Sequence, residues 1–328
     1  MAVREGGLAS LYSAPSLDLR FIRPPAEALF FAPFTFLPFP VAFWVWIAIQ
    51  IAAFVWCLHW AGQKAGGLAF VSCFFPPVVL GVSHGQDCVL MLGALVGACV
   101  LTQRGSRFRA GAVLGLGLLK FHLLLLWPFA LIFQRRWRMP GGFCGAGLLY
   151  AGISLRLVGR AGLADYLRLL RSPALAAVTP DPARQFNVGA LLANMGISSP
   201  TLTLVLCAAV ALVCLAAAAN RGTEELFLLI PAASLSIAPH ALYYDPALLL
   251  LPLWIAVSHA EWPAFRNLAA ALITPFVFVA AGLPRPWTAL ASAGLFLFVF
   301  AGIAVCLRQV LPGRLSVGRF GAVPVTLE

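Results

Sequence analysis

Between Pro40 and Trp60 the chain reads PVAFWVWIAIQIAAFVWCLHW, a run without one Asp, Glu, Lys or Arg. A bilayer's hydrocarbon core takes about 20 such residues as a helix, and a spanning segment must pair all its backbone N–H and C=O groups internally. Comparable apolar runs recur at roughly 67–83, 87–103, 139–158, 200–219, 224–240, 246–260, 267–283 and 287–307. The expected fold is therefore an all-α polytopic membrane protein with about nine spanning helices in a single domain over residues 1–328. Composition excludes the alternative of a soluble globule. With 62% hydrophobic and only 10% charged residues, the chain cannot cover a water-facing surface.

The net charge of +11 reads as membrane topology rather than as nucleic-acid binding, because the basic residues cluster in short gaps between apolar runs. The run from 110 to 134 has arginines at both ends, Arg104, Arg107 and Arg109 before it and Arg135, Arg136 and Arg138 after it. Its midpoint carries Lys120 and His122. A straight helix would put one arginine cluster outside. Two half-helices meeting near Lys120 keep both on the cytoplasmic side, together with Lys64, Arg221, Arg266, Arg308, Arg314 and Arg319. The sequence thus predicts a broken hairpin over 110–134, and it places the loops at 84–86, 159–199, 240–245 and 284–286 on the non-cytoplasmic face.

Two further features belong to that face. FIRPPAEALFFAPFTFLPFP (21–40) contains a helix over about 26–37, too short and too proline-flanked to span, which should lie along the membrane surface. Its positive end holds Arg23 ready for an anionic group, with Glu27 in the first turn. The long 159–199 loop opens with AGLADYLRLLRS, where Leu163, Tyr166, Leu167 and Leu170 form one stripe opposite Asp165, Arg168 and Arg171. That spacing predicts an interfacial helix. The basic tail after 308 suits anionic lipid head groups. Eight cysteines without a C-x-x-C pair indicate packing rather than a zinc site or a disulfide framework.

Three motifs carry chemistry. SHGQDCVL (83–90) sets His84, Gln86 and Asp87 at the start of a span; Gly85 can bend the chain there and Asp87 can cap the next helix. LLKFHLL (118–124) buries Lys120 and His122 in apolar surroundings. A lysine at membrane depth costs a few kcal/mol and marks a polar cavity, where it can meet a lipid phosphate. APHALYYDPALLLLP (238–252) brings His240, Tyr243, Tyr244 and Asp245 to the outer end of two spans. The tyrosines also fit an interfacial belt, whereas an imidazole at this place can hydrogen-bond a phosphate or a sugar hydroxyl.

Taken in order, LYSAPSLDLRFIRPPAEALFFAPFTFLP, GVSHGQDCVLMLGALVGA, RAGAVLGLGLLKFHLLLLWPFALIFQRRWR and APHALYYDPALLLLPL resemble segments of glycosyltransferase family 87, within the C-type superfamily of multi-spanning transferases. The likeness covers about residues 6–255. It implies an integral-membrane hexosyltransferase that moves a sugar, typically mannose, from a polyprenyl-phosphate donor to a glycolipid or glycan acceptor. The site would face the periplasm or cell exterior from a bacterial cytoplasmic membrane and need neither metal nor cofactor. The family's Gly-Gln falls on Gly85 and Gln86, its lysine at the helix break on Lys120, and its histidine before the Tyr-Asp pair on His240, with Asp245 following. Phe121 stands where members often have proline. The donor-binding set expected from motifs and resemblance together is Arg23, His84, Gln86, Lys120, His122, His240, Tyr244 and Asp245, led by Lys120 and His240.

Members of the family open with one more spanning helix and an aspartate early in the first outer loop, which serves as catalytic base. This sequence begins inside that loop, and its acidic residues there, Glu5, Asp18 and Glu27, do not match that aspartate in position. The expectation is therefore that the family's first span and its base are missing here. Two alternatives stay open: an inactive remnant that binds lipid phosphate, and a lipid or sugar transporter or flippase. Transporters often pair interrupted helices in two repeats, and only one interrupted helix is evident here.

Overall fold

The computed structural model describes residues 23–134, 137–171, 185–219, 221–280 and 288–308. Glu5, Asp18, Arg135, Arg136, the 172–184 part of the long loop, the 284–286 loop and the tail after 308 lie outside them. All regular structure among the described residues is helical.

The chain enters through α1 (Pro25–Phe31), preset by the proline in its first turn, and a 3-10 turn over Ala32–Phe36. This matches the short helix expected at 26–37. Phe36 and Phe39 are 83% and 80% exposed, a cost in water that lipid removes. Next comes α2 (Phe39–Ala65), which ends at Gly66 with φ 55°. The run expected as one span at 67–83 is divided into α3 (Gly67–Val71), a 3-10 turn (Ser72–Phe74) and α4 (Pro76–Ser83). Pro76 and Pro77 explain the division, since proline offers no N–H to the preceding turn and clashes with its carbonyl. Beyond the turn at Gly85 (φ 65°) lies α5 (Cys88–Gln103).

The interrupted segment consists of α6 (Arg107–Gly115), a 3-10 stretch (Leu116–Leu124) and α7 (Trp127–Phe133). Lys120 departs from helical geometry at φ −119°, ψ 62°, and the axis turns by 113° before α7. The break expected near Lys120 is there. Then α8 (Arg138–Leu170) continues across Gly159, whose φ of 66° kinks it. That kink separates the span expected at 139–158 from the helix expected to follow it. In that second part Tyr166 and Leu169 are buried while Leu167 of the anticipated stripe is 46% exposed.

Following α8 are α9 (Val188–Asn194), α10 (Pro200–Ala218), α11 (Thr223–Ile237), a 3-10 turn (Asp245–Leu249), α12 (Leu250–Ser258), α13 (Pro263–Ile273), α14 (Pro275–Ala280) and α15 (Thr288–Arg308). By length and composition, Phe39–Ala65, Arg138–Leu170 and Pro200–Ala218 can each cross a membrane, and the bent pair at 107–133 makes a fourth if it is one span. The expected count of about nine would need the shorter apolar helices, such as Cys88–Gln103 and Asp245–Ser258, to cross as well.

The core runs through α11 and α12, whose side chains are buried on nearly every side, with Trp127, Trp254, Phe75 and Phe227 filling the space around them. Trp254 Nε1 donates to Ser72 Oγ at 2.9 Å, meeting the need of a buried indole for a partner. The closest approach is between α6 and α8. A Cβ at Gly111 would lie 1.9 Å from the Met139 carbonyl oxygen, and one at Gly142 would lie 2.0 Å from that of Phe108. Only glycine fits at either position. All eight cysteines are free thiols.

Candidate functional site

Four chain breaks meet at one end of the bundle: the entry to α1, the turn between α4 and α5, the interruption at Lys120, and the 238–244 loop before α12. Each is a place where a side chain can leave the regular helix surface, and together they gather a cluster of charge. Lys120, 6% exposed, sets its Nζ 2.9 Å from Asp245 Oδ1 and 3.1 Å from Asp87 Oδ1. Its ammonium also stands 4.7 Å from the ring centre of Tyr244, within cation–π range. Asp245 is held from its other side by the Leu242 N–H, which donates to Oδ2 at 2.8 Å. Asp87 in turn is paired with Arg23, which also binds Glu27 and donates to Gln86 Oε1 at 3.3 Å.

Arg23, Gln86, Lys120, Tyr244 and Asp245, expected as site residues from widely separated motifs, thus form one cluster. Its chemistry differs from the expectation in one respect. Lys120 and Arg23 do not stand bare before an incoming phosphate, since carboxylates of the protein already engage them. This follows from burial, because a charge taken out of water needs a partner at once. Asp87 occupies the position before α5 without making a side-chain cap bond there. Its oxygens go to Arg23 and Lys120 instead, so its role as a mere helix cap is set aside. Burial alone would raise the Asp87 carboxyl, yet Lys120 and Arg23 outweigh it and hold it below the usual carboxylate range.

Glu27 is the member that the sequence hid. It is 0% exposed, and burial, only partly opposed by Arg23, pushes its carboxyl up to about 7. Its Oε2 has no hydrogen-bond partner among the described residues, and neither does the hydroxyl of Tyr150 on α8, which lies within electrostatic reach of it. The Ala26 N–H donates to Ser154 Oγ at 3.1 Å, fixing α1 against α8 at this place. In the sequence the signal was an acidic residue one helical turn after Arg23, which reads equally as a first-turn charge at a helix start.

The histidines divide. His122 and His240 face each other with ring centres 4.2 Å apart and planes inclined by 36°, beside the cluster. Burial holds the His240 imidazole below its ordinary value although Asp245 pulls the other way, so at neutral pH it offers an N–H rather than a charge. His84 is exposed, bonds through Nδ1 to the Leu80 carbonyl at 2.8 Å, and rests edge-on to Tyr243 at 5.7 Å. It lies on the rim and is tied to the end of its own helix.

A strap closes the side next to His240. The Phe186 N–H donates to the Ala241 carbonyl at 3.0 Å, and Gln185 Oε1 accepts from the Ala241 N–H at 3.2 Å. Asn187 donates to the Ala238 carbonyl at 3.0 Å while its Oδ1 caps α9 through the Ala190 N–H at 2.7 Å. Gln185 and Asn187 were not among the expected site residues. In the sequence they are two polar residues in a proline-punctuated loop, and only their landing place gives them a role.

Among the described residues no group of three or more His, Cys, Asp or Glu side chains has the geometry to hold a metal ion. No curated protein and no solved structure matches the chain significantly. The model of glycosyltransferase family 87 matches residues 21–242, a stretch that contains Arg23, Glu27, Gln86, Asp87, Lys120, His122 and His240. A helical membrane protein whose charged cluster draws all but Asp245 and Tyr244 from that stretch, this chain belongs to glycosyltransferase family 87.

Proposed function

We propose that this glycosyltransferase moves a hexose, mannose by the resemblance, from a polyprenyl-phosphate donor to a glycolipid or glycan acceptor on the non-cytoplasmic side of a bacterial cytoplasmic membrane. In this reading the shorter apolar helices cross as well, and so do the runs at 67–83, 224–240 and 267–283, giving about nine crossings. The observation that carries it is the seat of Lys120: a lysine at a helix break, ion-paired to Asp87 and Asp245 from two other elements, with His122 and His240 in ring contact alongside.

The chemistry needs three things. The donor's phosphate must be held, the acceptor hydroxyl must lose its proton, and charge must be balanced as polyprenyl phosphate leaves. Two cations are held in place by their carboxylate partners before substrate arrives, as hydrogen-bond donors that a phosphate oxygen can share. Arg23, with its side chain 26% exposed, is the cation best able to turn toward a phosphate oxygen. Neutral His240 and Gln86 donate N–H groups to the phosphate or the sugar. Fixed dipoles of this kind act most strongly where water is scarce. The bilayer lets the lipid tail of the donor approach from the side, past the exposed aromatic residues of α1 and α2. Family membership supports a transferase over a lipid or sugar carrier.

The test uses native membranes of a strain deleted for the protein and then supplied with wild-type or variant chain, given radiolabelled polyprenyl-phosphate hexoses. Wild-type membranes should label a glycolipid or glycan fraction, and Lys120→Ala and His240→Ala should lower the labelling. No labelling above the deletion strain with any of the hexoses would favour the inactive remnant. Normal labelling with both variants would overturn the site.

A further inference from the structure

At the far end of α5 from the Lys120 cluster, a second group of cations stands without carboxylates. Asp87 precedes α5 and Arg104 follows it, and the 16 residues between them put about 24 Å between the two places. Arg104, Arg107, Arg109 and Arg138 are all exposed. No ion pair among the described residues includes any of the four. Helix formation does not account for them either. Arg107 and Arg138 open α6 and α8, and neither helix has an acid in its first turn or a side-chain cap. A cation there faces the positive end of the helix dipole, where it is disfavoured.

Membrane topology accounts for the sign of the charge on each loop, but not for the meeting of the two loops. Glycine makes that meeting. The Phe108 carbonyl lies against Gly142 and the Met139 carbonyl against Gly111. Arg107 and Arg109, on either side of Phe108, thereby share one patch with Arg138, next to Met139. The rings of Phe108 and Trp137, 57% and 67% exposed, belong to the same patch, as aromatic side chains do at a membrane–water boundary. Leading away from it along α8, Gly141 and Gly145 are exposed, and a Cβ at Gly145 would meet nothing within 4 Å. Leu148 and Leu149 follow at 74% and 66% exposure. Cations, then interfacial rings, then an open apolar face repeat the order of parts in a phospholipid, from phosphate to acyl chain.

We propose that this patch seats an anionic phospholipid, its headgroup phosphate shared by Arg107, Arg109 and Arg138 and its acyl chains laid along α8 past Gly141 and Gly145. Guanidinium groups grip phosphate oxygens in pairs, and basic pockets between membrane helices are where anionic headgroups bind. The phosphate also relieves the like charges gathered where α6 and α8 begin. This lipid is distinct from the sugar donor, whose phosphate is assigned to the opposite end of α5, and its binding requires no transfer. Because α6 leads into the 3-10 stretch that bears Lys120, the seated lipid holds the near end of the interrupted segment.

The experiment follows the thermal unfolding midpoint of the purified full chain in an uncharged detergent. The chain is titrated with phosphatidylglycerol, cardiolipin, phosphatidylcholine and inorganic phosphate. The midpoint should rise with the two anionic lipids and stay in place with the other two additions. The rise should shrink when salt is raised from about 0.05 M to about 0.5 M. Combining Arg107→Gln, Arg109→Gln and Arg138→Gln should raise the half-maximal lipid concentration about a hundredfold, at about fivefold for each arginine. The matched control combines Arg156→Gln, Arg160→Gln and Arg171→Gln, which removes the same charge from exposed arginines farther along the chain. It should titrate as wild type. Equal weakening in both triple variants would make the effect one of net charge and overturn the proposal. An equal rise with phosphatidylcholine, or one with inorganic phosphate as large as with lipid, would overturn it as well. Should the patch triple variant not fold, Arg107→Gln and Arg138→Gln decide singly: each should bind about fivefold more weakly, and wild-type titration in both overturns the proposal.

Discussion

Lys120 and Asp245 meet at 2.9 Å although they start from a helix break and from a 3-10 turn on the far side of the sequence. Both are buried, and Asp87 completes the cradle at 3.1 Å. Removing one member leaves the others as uncompensated buried charge, which costs about 3–5 kcal/mol. Lys120→Met should therefore lower the thermal unfolding midpoint of the purified protein sharply. Lys120→Met with Asp245→Asn should cost less than the sum of the two single changes, the signature of direct coupling in a double-mutant cycle.

His240 lies beside the cluster rather than inside it, its ring 4.2 Å from that of His122. His240→Ala should weaken transfer by about tenfold to a hundredfold, the loss of one hydrogen bond to a charged group. Its unfolding midpoint should stay near that of wild type. Labelling rates and melting curves on the same preparation separate the two effects.

The crossing of α6 over α8 depends on glycine. Gly111→Ala would press a methyl group against the Met139 carbonyl oxygen, 1.9 Å away, and should destabilise by about 1–3 kcal/mol or more. Gly145→Ala is the matched control, because a Cβ there has nothing within 4 Å and alanine is the better helix former. It should be neutral or slightly stabilising.

Glu27 gives stability a pH dependence of definite sign. Its carboxyl is raised in the folded protein from an ordinary 4.5 to about 7, so between those values the folded state holds a proton that the unfolded chain has released. Its contribution is fully present below about 4.5 and is lost as pH rises through about 7. Glu27→Gln removes this slope. The difference in unfolding midpoint between the variant and wild type should grow in the variant's favour from pH 5 to about pH 8 and then level off.

The strap over the 238–241 loop offers a further check. Asn187→Ala deletes both the cap of α9 and the bond to the Ala238 carbonyl. The lost cap alone is worth about 1 kcal/mol. Limited proteolysis of the variant should cut near 185–187 sooner than in wild type, and transfer should fall because the loop carrying His240 has lost its brace.

The sequence by itself determined the class and much of the frame. Long stretches without charge can satisfy their backbone in lipid only by curling into helices, so a helical membrane protein was legible from composition and runs alone. So were the short helix after Pro24 and Pro25, the boundary near 159 between a span and an amphipathic helix, and the break at Lys120, because a proline pair, a change of residue spacing and arginine clusters at both ends of one apolar run can each be read within a short stretch. The family was legible from four motifs in order. Tertiary structure decided the partners. That Lys120 would be caged by Asp87 and Asp245, that Asp87 would leave its helix cap for Arg23, and that Gln185 and Asn187 would brace the His240 loop depend on elements brought together across the chain. Local spacing carries no record of those meetings. Glu27 shows the difference most directly: one helical turn after Arg23 it reads as an ordinary first-turn acid, and only the packing of α1 against α8 removes it from water and leaves one of its oxygens without a partner.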